Sequence, residues 1–185
     1  MEQELKYYRI KTEWMAQSEN GNLKKTKTEE LVYATSYGEA EKLAYAVAED
    51  RQRGRYGAVK FDIIKTNIDE LMYNKTLQTE DTLTEKLNCC FFEESDETGV
   101  GLYAVKVMYN EIDPVSAKEK RSNETIYVPA SSNINAAKLV NDYLKVNETT
   151  RDFVVRDTKF DKAEAIFLPT DIYAQKVKKF DEYLN

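Results

Sequence analysis

The residues best suited to chemistry in this chain are cations interleaved with aromatic rings. Lys24, Lys25 and Lys27 form one basic cluster, and Lys118, Lys120 and Arg121 form a second at the corresponding place in a later segment. Arg51, Arg53 and Arg55 make a third. Alternation along strands puts Tyr7 and Tyr33 on the same outward face as Arg9, Lys11, Lys25 and Lys27. Such a face suits single-stranded nucleic acid, because bases stack on rings for ~1–3 kcal/mol each while cations follow the phosphates. The competing reading is an ordinary solvated sheet face, since threonine and tyrosine favour strands anyway. The acidic neighbours Glu29, Glu30 and Glu119 speak for it.

Catalytic constellations are scarce. There is no histidine, which removes the commonest general base, the usual zinc ligand and every Ser-His or Cys-His pair. Cys89 and Cys90 are adjacent, so on a strand they point to opposite faces and make neither a disulfide nor a metal box. The carboxylate pairs Glu29-Glu30, Glu49-Asp50 and Glu93-Glu94 lack a spaced third ligand and read as solvated surface. Gly99-Val100-Gly101 precedes a strand, not a helix, and reads as a turn instead of a phosphate loop. Trp14 reads as core. No catalytic residue, metal or cofactor is expected.

The elements that must position these residues repeat. VYATSYGEAEKL at 32–43 returns as VPASSNINAAKL at 128–139, 96 positions on, with Ala34, Ser36, Ala40, Lys42 and Leu43 answered by Ala130, Ser132, Ala136, Lys138 and Leu139. Each copy reads as the end of a strand, a polar turn and a helix start, and Ser36 with Glu39 three residues on predicts a capping box. Upstream, residues 5–16 alternate with Tyr8, Ile10 and Trp14 toward the core, and SENGN at 18–22 predicts a hairpin turn into a strand at 24–34. The following helix carries Ala40, Leu43, Ala44 and Val47 inward, and a strand at 58–66 completes β-β-α-β. The second copy offers Tyr103, Val105, Val107 and Tyr109 on its first strand, a strand at 118–130, and a helix at 133–145 burying Ala136, Leu139, Val140 and Tyr143. Its last strand spans 152–160. The predicted organisation is a repeat at 1–72, a connection at 73–100 with a short helix and a strand, a repeat at 101–168, and a C-terminal helix at 169–185. Each unit alone is small enough to be marginal in stability.

The chain has 185 residues, 42% hydrophobic and 32% charged, which places it among globular proteins and away from disordered ones. No apolar run approaches the roughly 18 residues of a membrane span, and the start MEQELKYYRIK has no apolar core of a secretory signal. A reducing cytoplasm is the expected location, with no membrane partner. A net charge of −6 disfavours coating nucleic acid with the whole surface but leaves room for a local basic groove.

The ordered set Tyr8, Ile10, Lys11, Val32, Ala34, Ser36, Glu39, Ala40 and Glu41 carries a family likeness. In the second copy Tyr103, Val105, Lys106, Lys118, Glu119, Lys120, Arg121, Val128, Ala130 and Ser132 match it. Over residues 6–167 the chain resembles a family of uncharacterised proteins, a domain of unknown function, from Bacteroidetes and the crAss-like phages that infect them. The connection at 74–87 and the C-terminal helix depart from that pattern. The resemblance implies a phage or mobile-element setting, with single-stranded DNA handling, virion assembly and host-defence antagonism as classes of role.

The expected fold is therefore α+β: two tandem β-β-α-β repeats of antiparallel sheet with helices on one side, plus a C-terminal helix. The segment at 89–94 is expected to add a strand bridging the copies. The expected function is non-catalytic binding of single-stranded nucleic acid, with Lys24, Lys25, Lys27, Lys118, Lys120 and Arg121 supplying charge and Tyr7 and Tyr33 stacking. The alternative is a protein–protein module, a virion component or an inhibitor of a host defence protein, docking through Tyr173, Val177, Phe180 and Leu184 of the last helix. A homo-oligomer fits either reading.

Overall fold

A computed structural model describes residues 6–50, 55–73, 82–84, 87–91 and 100–184. In chain order it contains β1 (Lys6–Gln17), β2 (Leu23–Ala34), α1 (Tyr37–Asp50), β3 (Arg55–Lys65), β4 (Glu70–Leu71), β5 (Thr82–Thr84) and β6 (Leu87–Phe91). Then follow β7 (Gly101–Ile112), β8 (Glu119–Ala130), α2 (Asn133–Asn147), β9 (Asp152–Asp161), β10 (Ala165–Pro169) and α3 (Thr170–Leu184). The two β-β-α-β units are thus present, as β1-β2-α1-β3 and β7-β8-α2-β9, each with an antiparallel hairpin flanked by an antiparallel third strand.

The local chemistry explains these elements. Gly21 takes φ +79° in the first hairpin turn, where Ser18 N–H donates to Asn22 O at 2.8 Å. At the start of α1, Ser36 Oγ accepts from Glu39 N–H at 3.2 Å, while Glu39 Oε2 reaches back to Thr35 N–H and Oγ1, both at 2.6 Å. The same box recurs at α2, where Ser132 Oγ accepts from Asn135 N–H at 3.1 Å and Asn135 Oδ1 from Ser131 N–H at 3.2 Å. Asn135 does the work of Glu39 without its charge. Ser132→Ala removes the acceptor for an otherwise open helix donor and is expected to lower stability by ~1 kcal/mol in urea unfolding.

In the first unit Tyr8, Ile10, Val32 and Ala34 pack against Ala40, Ala44 and Val47 of α1, with Leu43, Phe61 and Ile63 alongside. In the second, Val105, Val107, Tyr109, Ile126 and Val128 pack against Ala136, Val140 and Leu144, with Leu139 and Tyr143 partly buried beside them. The predicted helix stripes are the packed ones. Trp14 differs: it is half-buried and lies outside both clusters.

The largest departure concerns two strands not anticipated from sequence. The first sheet runs β3-β1-β2-β10-β6-β5 and the second β4-β8-β7-β9. After β3 the chain does not stay in its own unit, since Glu70 and Leu71 pair parallel with Ile126 and Tyr127 of β8. After β9 it returns, and Ala165, Ile166 and Phe167 pair parallel with Glu30, Leu31 and Val32 of β2. The compact units are accordingly interleaved in sequence: 1–66 with 78–91 and 163–173, and 67–77 with 92–162 and 174–185. They are not the contiguous blocks 1–72 and 101–168.

β6 is an added strand as expected, but it belongs to the first unit's sheet, between β10 and β5. The short helix expected within 73–100 is not formed where that stretch is described. Thr82–Thr84 is extended and pairs antiparallel with β6; its β-branched threonines suit that state.

Candidate binding surfaces

Strand alternation turns Tyr8 and Ile10 to α1, so Arg9, Lys11 and Glu13 face the other way. Beside them stand Lys25, Lys27 and Glu29 of β2 and Lys60 and Asp62 of β3. The register sets opposite charges against each other: Lys11 faces Glu29 and Asp62, and Glu13 faces Lys27 and Lys60. Glu29 accepts from Arg9 at 3.0 Å and lies 4.0 Å from Lys11. Glu13 sits 2.6 Å from Lys25 and 3.5 Å from Lys27, and the hydrogen bond from Lys25 holds its carboxyl below the usual range. Lys11, Glu13, Lys27, Glu29, Lys60 and Asp62 line a depression of about 330 Å³. It is a mixed-charge face, in which a phosphate would have to compete with carboxylates already in place.

Of the predicted nucleic-acid residues, the structure gathers Lys25 and Lys27 here and pairs both with Glu13. Tyr7 corrects the expectation of an outward stacking ring. It is 5% exposed, and its ring lies 4.4 Å from that of Tyr33, its directly opposed cross-strand partner. Tyr33 is half-buried. Each ring therefore covers a face of the other that a base would need. Lys60 joins the face without having been singled out; it sits on β3, whose pairing with β1 is a tertiary fact. Arg51 and Arg53, with the Arg55 side chain, lie outside the described residues, as do the side chains of Cys89 and Cys90.

The remaining predicted cations mark the hairpin ends. Lys24 is exposed next to Leu23, itself 57% exposed. In the second unit Lys118, Lys120 and Arg121 are exposed near Ile112 and Val115. Arg121 pairs with Glu119 at 3.3 Å, whereas Lys24 and Lys118 make no ion pair among the described residues. The turn carrying Val115 is tightly built. Asp113 Oδ1 accepts from Val115 N–H and Ser116 N–H, both at 2.8 Å, which holds its carboxyl below the ordinary range. Asp113 N–H donates to Lys118 O at 2.9 Å, and Ala117 takes φ +55° to close the turn. Val115 is 94% exposed at its tip. Asp-Pro at 113–114 is the sequence signal by which this loop could have been found.

The docking stripe assigned to the C-terminal helix is instead a packing face. Phe180 is fully buried in the second unit's core, edge-on to Tyr143 at 5.1 Å, and Leu184 packs on the same cluster. Tyr173 and Val177 are half-buried. Lys176 and Lys179 clamp Glu70 of β4, the latter at 2.8 Å. Burial opposes the charge of Glu70, but the two lysines outweigh it and keep its carboxyl below the usual range.

A cavity of about 180 Å³ in the second unit is lined by Tyr109, Glu124, Tyr143, Asn147, Glu148 and Arg151, among others. Arg151 donates to Glu148 at 2.6 Å and Glu124 at 3.0 Å, and its guanidinium lies 3.8 Å from the centroid of the Tyr109 ring. Burial and the nearby Glu124 carboxylate push the Tyr109 phenol well above its ordinary range. The hydrogen bond from Arg151 brings Glu148 down to about 2. Every charge is already answered, so the cluster fastens the end of α2 to β8 and β9 and offers a ligand little. The Glu148–Arg151 spacing was its one sequence signal. Among the described residues, no three His, Cys, Asp or Glu side chains are placed to hold a metal, and no helix is long and apolar enough to cross a membrane.

The fold and these surfaces define an α+β protein of two β-β-α-β units with exposed hairpin ends and a mixed-charge sheet face. Over residues 6–170 the chain belongs to the family described as a domain of unknown function, DUF4494. No match was found among curated proteins or among solved structures.

Proposed function

We propose that this is a non-catalytic binding protein that engages a protein partner through the ends of its hairpins. The observation that carries the reading is Val115, 94% exposed at the tip of a turn fastened by Asp113 and flanked by Lys118, Lys120 and Arg121. A pre-ordered aliphatic side chain on a turn that also exposes cations loses little freedom on docking and suits an acidic protein surface with an apolar centre. Bare phosphate has no use for the valine. Leu23 beside Lys24 and Lys25 presents the same combination on the other hairpin. The family likeness suggests a phage or mobile-element setting, in which a virion component or an inhibitor of a host defence protein is the corresponding role. The host cytoplasm is the location that goes with that setting, and the absence of histidine supports a role without catalysis.

A second reading, single-stranded nucleic acid binding, draws support from Lys24 and Lys118, exposed without an ion pair among the described residues. The carboxylate at Glu13 separates the two readings by the sign of its effect. Glu13→Lys releases Lys25 and Lys27 and adds a cation, so DNA affinity rises severalfold and its salt dependence steepens if phosphates are bound. Val115→Asp weakens a protein contact by roughly tenfold or more. Fluorescence polarisation of labelled single-stranded DNA at two salt concentrations, and capture of partners from host lysate with each variant, read both. Salt-sensitive DNA binding that strengthens in Glu13→Lys, with capture unaffected by Val115→Asp, would overturn the protein-partner reading.

A further inference from the structure

β10 is a central strand of the first sheet, although in sequence it follows the last strand of the second unit. It pairs parallel with β2 on one side and antiparallel with β6 on the other, from Ala165 opposite Phe91 to Pro169 opposite Leu87. Ala165, Ile166, Phe167 and Leu168 are all fully buried. Without this strand the β5-β6 pair has no sheet to join, and Val32 loses the neighbour that covers it. The second unit has the counterpart, since β4 pairs parallel with β8 at Ile126 and Tyr127, positions that answer Glu30 and Leu31 at the 96-residue offset of the repeat. Each half of the chain therefore carries the strand that completes the other half's unit. The passage from β9 to β10 is short: Asp161 ends one strand, Ala165 begins the next, and Glu164 N–H already donates to Glu29 O at 2.8 Å.

We propose that the edge of β2 at Glu30, Leu31 and Val32 is a strand-acceptor site whose partner in trans is a second copy of this chain, giving a dimer by exchange of the segment that begins at Ala163. The pairing of β10 and the buried apolar contacts, including those of Phe180 on the α3 that follows it, are the same whether the whole segment comes from its own chain or from another. The balance is then left to association entropy and the connector. A connector this short favours exchange, and a longer one favours self-closure. Because leaving the site would expose the buried side chains of β10, the choice is made during folding and is not revised in the native state.

The test is refolding of the full chain from urea at a series of concentrations, read by size exclusion with light scattering. The expected result is a dimer fraction that rises with refolding concentration and persists on dilution. Two full chains with different tags form hybrid dimers when unfolded and refolded together, and none when mixed as native proteins. Inserting roughly six Gly and Ser residues after Lys162 lowers the dimer fraction severalfold. Monomer at every refolding concentration overturns the proposal. So do hybrids formed on native mixing, which mark an ordinary surface dimer, and a dimer fraction indifferent to the insertion.

Discussion

Phe167→Ala is expected to destabilise the first unit by about 3–5 kcal/mol, the cost of deleting a fully buried ring from a central strand. A loss of that size is a large share of what holds a domain folded. Phe167 packs in one cluster with Tyr8, Ile10, Val32 and the α1 alanines, so the cavity opens where sheet and helix meet. The single tryptophan, Trp14, lies on β1 of this unit and serves as the probe. Its fluorescence transition in urea should move to much lower denaturant. Phe160→Ala, at a ring 48% exposed on β9, should change stability by less than about 1 kcal/mol. A Trp14 transition that shifts no further in Phe167→Ala than in Phe160→Ala would refute the structural role assigned to β10.

Acid sensitivity should come from the second unit. The Glu148 carboxyl falls from 4.5 to about 2 on folding, because Arg151 and Thr150 bond its charged form. A depressed carboxylate contributes stability that is complete above its unfolded value and is lost as pH falls from about 4.5 toward 2. Allowing for solvent screening of a side chain near the surface, that contribution is on the order of 1–2 kcal/mol. Arg151→Leu removes the partner of both Glu124 and Glu148 and uncovers the Tyr109 ring. It should cost about 1–3 kcal/mol at pH 7 and flatten the acid limb, since the Glu148 charge then loses the largest of the bonds that favour it and keeps those from Thr150. Urea midpoints by circular dichroism between pH 7 and pH 2.5 decide the matter. Parallel loss in wild type and variant over that window would place the acid sensitivity elsewhere.

The units were legible because local rules and burial agreed in them. Tyr8 and Ile10 alternate to one side, Ala40, Ala44 and Val47 recur at helical spacing, and Ser36 and Ser132 sit where a helix needs an acceptor. The site residues were less legible, because charge and exposure depend on neighbours across strands. Lys25 and Lys27 are basic in sequence, yet the β1–β2 register sets Glu13 opposite Lys27 and within reach of Lys25. Tyr7 alternates to the face away from α1, yet Tyr33 lies directly opposite and the pair closes on itself. On α3 the apolar stripe was real, but periodicity reports amphipathicity and not what the stripe meets; Phe180 meets Tyr143.

By itself the sequence determined what short-range physics decides: the alternation of strands, the hairpin at Gly21, the helix caps and the β-β-α-β order of both units. Tertiary structure alone decided which unit each short strand would complete. AIFLP at 165–169 is an apolar run with no period, and such a run is compatible with any buried position. Glu70-Leu71 is too short to carry a pattern at all. Parallel pairing over large sequence separation is paid for in chain entropy and rewarded only by the assembled core, so the two residues of β4 and the five of β10 find their places through Met72 and Phe167 filling the cores of units they do not adjoin in sequence.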